Sequence, residues 1–114
     1  MTFRRIVHFT KDRPDRNSVI KYVGAYMNGC GRLEEITATH WHIILPEEYS
    51  DPEREHPDPT RGPDRWIEID LDGPENRLRS VDVLTRSMDP LTQSIADGLA
   101  ASMRRKWRCV EGVV

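Results

Sequence analysis

The sequence predicts a single α+β domain over residues 1–114, with elements in the order β-α-β-β-β-α. Three observations predict it. Short stretches alternate side chains with period two, two longer stretches repeat apolar residues at helical spacing, and Gly, Pro or Asp punctuates most of the joins. The expected assembly is a four-stranded, mostly antiparallel sheet. Its last three strands form a meander, the first joins through a helical crossover, and both helices pack on one face.

The first strand is read over Phe3–Thr10, with Phe3, Arg5, Val7 and Phe9 on one side and Arg4, Ile6, His8 and Thr10 on the other. A polar loop with Pro14 leads to a helix that Ser18 or Asn17 can cap. Val19, Ile20, Val23, Tyr26, Met27 and Cys30 fall on one arc of it, and Gly29 and Gly31 end it. A second strand is expected within Arg32–Pro46, best from Ile36 to Leu45. One face carries Thr37, Thr39, Trp41, Ile43 and Leu45, and the other Ala38, His40, His42 and Ile44.

Residues 46–64 hold five prolines, seven acids and only two arginines, with no apolar period, and read as a long acidic loop. The third strand is Arg65–Asp72, with Ile67, Ile69 and Leu71 opposed to Trp66, Glu68 and Asp70. The Asp72-Gly73 pair opens a hairpin turn. The fourth is Leu78–Thr85, with Val81 and Val83 inward and Ser80 and Asp82 outward. Asp89-Pro90 is a cap followed by a proline suited to the first helical position. Leu91, Ile95, Ala96, Leu99, Ala100, Met103 and Trp107 then make one apolar stripe, with Gly98 set for close packing onto the sheet.

Composition narrows the function. At 37% hydrophobic and 32% charged, the chain supports a core but demands a large polar surface. No apolar run reaches the ~20 residues of a membrane span, and the first residues carry no signal-like stretch. Cys30 and Cys109 read as reduced thiols, so the expected compartment is the cytoplasm. The net charge of −2 conceals basic ends around an acidic middle.

Three sets of residues can carry function. His40 and His42, two apart on a strand, project from one face and can both reach a divalent metal. Glu68, Asp70, Asp82 and His8 are the candidates to complete that site. The same face, with Trp66, Glu68, Asp70, His40 and His42, can instead dock a protein, because tryptophan on a polar face is a common interface anchor. Arg4, Arg5, Lys11, Arg13 and Arg16, with the basic end of the last helix, can follow a phosphate backbone. No hydrolase elbow, zinc-protease or phosphate-loop motif is present.

The function expected from sequence is thus a small non-enzymatic docking module, of accessory or immunity type, without a cofactor. It would use the open sheet face and the acidic loop to hold another protein or a second copy of itself. The alternative is a metal-dependent enzyme centred on His40 and His42, and the third reading is a nucleic-acid binder.

Overall fold

A computed structural model describes residues 2–28, 30–45 and 66–107. The acidic segment at 46–64 and Cys109 lie outside them. The described elements are β1 (Phe3–His8), α1 (Arg16–Tyr26), β2 (Arg32–Glu35), β3 (His40–Ile44), β4 (Trp66–Asp72), β5 (Ser80–Thr85) and α2 (Pro90–Lys106). The strands form one five-stranded sheet in the order β1-β5-β4-β3-β2, with every neighbouring pair antiparallel. The class is the expected α+β, with one strand more than expected.

The extra strand comes from dividing the predicted second strand. Residues 36–39 turn the chain between β2 and β3. The amides of Ile36 and Thr37 both donate to the His40 carbonyl at 3.0 Å, and the Thr37 hydroxyl accepts from the Thr39 amide at 3.3 Å. A threonine hydroxyl here does the work usually left to Gly, Asn or Asp. The alternation runs through the turn unbroken, so period alone does not reveal it.

In all five strands the odd-numbered side chains face the helices. Val7, Ile43, Ile67, Ile69, Val81 and Val83 are fully buried there, and Leu33 and Trp41 pack partly against them. Each such aliphatic side chain contributes ~1.5–3 kcal/mol by leaving water. The phase read for the last strand, with Val81 and Val83 inward, agrees with this.

The first helix begins earlier than its hydroxyl residues indicate. Asp15 is the N-cap residue and Ser18 sits inside the first turn, donating its hydroxyl to the Asp15 carboxylate. The helix also stops at Tyr26, short of the glycines. The second helix starts as read: the Asp89 carboxylate accepts from the amides of Leu91 and Thr92 at 3.3 and 3.4 Å, ahead of Pro90. Leu91, however, is exposed, and Thr92 and Ser102 are buried.

The helices lie side by side and antiparallel. Tyr22 hydrogen-bonds Ser102, and a Cβ at Gly98 would stand 3.1 Å from the Tyr26 hydroxyl. Gly98 therefore admits the other helix, not the sheet as expected. Trp107 packs edge-on to Phe9 at 5.6 Å and Tyr22 at 5.1 Å, joining the end of α2 to the first strand and to α1. No helix among the described residues is long and apolar enough to cross a membrane.

The free edges of the sheet are blunted. Even-numbered residues of β1 turn their backbone groups away from β5, and arginines cover the carbonyls. Arg5 Nη1 donates to the Arg4 oxygen and Arg104 Nη2 to the Ile6 oxygen, both at 3.0 Å. At the other edge β2 is short and carries Arg32, Glu34 and Glu35. Short, charged and covered edges resist strand addition.

Two predictions follow from this scaffold. Gly73 has φ +107°, and a Cβ there would lie 2.6 Å from the Arg79 amide nitrogen. Gly73→Ala lowers stability by ~1–3 kcal/mol, seen as a lower urea midpoint at unchanged slope. Arg104→Ala costs ~1 kcal/mol and uncovers the β1 edge, so sedimentation velocity detects more self-association than in the parent.

Candidate metal centre on the open sheet face

Antiparallel register assembles the site from two adjacent strands. His40 lies opposite Asp70, His42 opposite Glu68, and Ile44 opposite Trp66. Even numbering sends all six side chains to the face without helices. On the next strand Asp82 lies opposite Asp70 and Leu84 opposite Glu68.

The two imidazoles turn toward each other and toward one carboxylate oxygen. His40 Nε2 is 3.0 Å from His42 Nε2 and 3.3 Å from Glu68 Oε1; His42 Nε2 is 3.7 Å from the same oxygen. These three atoms outline a triangle matching the ~3.3 Å edge of a tetrahedron whose metal–ligand bonds are ~2.05 Å. Glu68 is 8% exposed, and its Oε2 is buried and accepts no hydrogen bond among the described residues, although Arg86 Nε stands 3.4 Å away. Burying a carboxylate on a sheet is costly unless positive charge or donors meet it.

Asp70 accepts from His40 Nδ1, which assigns a proton to that nitrogen. A neutral His40 then turns an Nε2 lone pair toward Glu68 Oε1, another acceptor, and toward His42 Nε2, which can donate a proton to it. A metal ion would take the place of that proton among the three atoms. The carboxylate–imidazole pair is also the arrangement that fixes a metal-ligating histidine in one tautomer.

His42 is held toward its neutral form. Burial is the main cause and the neighbouring His40 the second; Glu68, Glu34 and Asp70 oppose them. Its ring packs against Trp66 at 4.4 Å between centroids. A neutral imidazole is the ligand form.

The structure therefore brings together His40, His42, Glu68 and Asp70, with Trp66 half-buried alongside. His8 does not join them: it is exposed on β1, opposite Ser80. Asp82 also stands apart, taking Arg4 Nη2 at 2.5 Å. Much of the basic N-terminal set is engaged internally. Arg5 pairs with Asp97 at 2.9 Å, Arg16 with Glu75 at 2.9 Å, and Arg13 donates to the Leu78 and Arg77 carbonyls. Arg86 was not among the residues read from sequence. Extending the outward series Asp82, Leu84 by one more step finds it.

No protein-family model matches the chain, and neither a curated protein nor a solved structure shows a significant likeness to it.

The lowered His42 pKa carries a sign. Above its ordinary value of 6.5 the imidazole is neutral whether folded or not, and the fold keeps its full stability. Below that value the unfolded chain takes up the proton first, so stability falls as pH falls until folded His42 protonates too. Urea titrations of metal-free protein between pH 7.5 and 5.5 should show this decline, and His42→Gln should flatten it.

Proposed function

We propose that this chain is a divalent-metal protein, with His40 Nε2, His42 Nε2 and the Glu68 carboxylate as ligands. Asp70 positions His40 through its Nδ1 proton. The observation that carries the reading is the convergence of one ligand atom from each of the three residues within 4.8 Å. Two imidazoles and a carboxylate suit zinc among the common divalent ions. Three protein ligands leave a coordination position for water. That water would face the side of the sheet opposite the helices, which supports metal-assisted hydrolysis as the reaction class.

The test is elemental analysis of untagged protein with a thermal melt in zinc and in chelator. Stoichiometric metal is expected. Zinc at a thousandfold excess over its dissociation constant adds ~4 kcal/mol, a rise of at least ~10 °C in a domain of this size. His40→Ala, His42→Ala and Glu68→Gln should each abolish that rise. Protein that binds no zinc and melts identically in chelator rules the centre out.

A second reading, the docking module, draws on a different observation. The helices cover one face, and the opposite face sets half-buried Ile6, Ile44, Trp66 and Leu84 around its charged centre. Apolar side chains framing a buried polar group make an interface as well as a metal pocket. Trp66→Ala and Asp70→Lys would then disrupt a complex without unfolding the domain. A metal-free, chelator-indifferent protein is the result that turns the assignment to this reading.

A further inference from the structure

Arg86 follows β5 at the position that continues the outward series Asp82, Leu84. Its side chain is 75% exposed, and its Nε lies 3.4 Å from Glu68 Oε2. Glu68 thus presents Oε1 to the imidazoles and Oε2 to a guanidinium. One carboxylate separates the position of the ion from Arg86.

We propose that Arg86 determines what this centre binds, and that its ligand is a small oxyanion: a carboxylate or phosphoryl group with one oxygen on the metal and another on the guanidinium. The proposal rests on the metal reading above and adds the ligand class. An oxyanion on the open coordination position would lie beside Glu68, whose two oxygens already join the imidazoles to the guanidinium. The planar guanidinium offers several donors in a fixed fork, and an oxyanion accepts two of them at once.

A divalent ion and Arg86 together offset Glu68, Asp70 and Glu34, the acids whose charge reaches the site, so an incoming anion meets no net repulsion. Other arginines on this face are paired with acids. Arg4 gives both Nε and Nη2 to Asp82, at 2.7 and 2.5 Å, and Arg32 pairs with Glu34 at 3.6 Å. Arg86 is paired as well, through Nε to Glu68 at 3.4 Å, and like Arg32 it keeps its side chain largely in solvent, but Arg86 alone of the three pairs with a ligand of the proposed centre. Trp66 against His42 shields one side of the centre from water, which strengthens ion pairing there.

Cobalt(II) loaded in place of zinc gives visible bands that report its ligands. Inorganic phosphate and acetate, titrated separately, should change those bands saturably in the parent, and the tighter of the two names the preferred group. Arg86→Met should weaken that binding by about tenfold or more, and Arg86→Lys should restore part of it. Melting profile and cobalt uptake are measured for Arg86→Met beside the parent, so that a loss of fold or of metal is read separately from a loss of anion binding. Equal anion affinity in the parent and Arg86→Met overturns the oxyanion assignment while leaving the metal centre intact. Failure to take up cobalt at all overturns both.

Discussion

The burial of one sheet face beneath two antiparallel helices is the constraint on which this structure depends. With the odd-numbered side chains facing the helices in every strand and most of them buried, even-numbered ones have no choice of face. A slip of one residue in β4 or β5 would drive Glu68 or Asp82 under the helices and expose Ile67 or Val83. The cost would be several buried aliphatic side chains together with an unpaired buried charge. Register is therefore strongly specified, and so is the set of side chains that meet outside.

The polar face follows from that commitment. His40, His42, Glu68 and Asp70 converge because β3 and β4 are antiparallel neighbours and the pairs 40–70 and 42–68 fall in register. The arrangement is locally unfavourable by itself. Two imidazole nitrogens crowd one carboxylate oxygen, the carboxylate is buried, and its other oxygen lacks a hydrogen bond among the described residues. That convergence of polar atoms is the physical basis of the metal proposal. The cluster sits on paired strands rather than on a loop, so its donors are held by backbone already fixed by the core.

Much of the fold is legible in the sequence because the relevant signals are local. The Asp89-Pro90 cap, the stripe from Ala96 to Met103 and the alternation from Trp66 to Asp72 each need no distant partner. The β2–β3 turn is hidden because Thr37 supplies the turn chemistry without a glycine or proline. Gly98 is visible as a packing glycine, but its partner, Tyr26, lies on the other helix and carries no sequence mark. The site is legible in part: the faces of His40, His42, Glu68 and Asp70 follow from period two, whereas their distances do not. Arg86 escapes notice because it lies past the end of its strand.

The sequence by itself determined the class of the domain, the face each strand residue occupies, the start of the second helix and the identity of the candidate ligands. These depend on periodicity and capping, which are properties of neighbouring residues. Tertiary structure decided which strands are neighbours, that Asp82 pairs with Arg4 instead of joining the histidines, that His8 stands apart, and that Glu68 is shared between two imidazoles and Arg86. Those outcomes depend on sheet order and register. Both are set by the global burial of the odd face, and no local stretch of sequence encodes them.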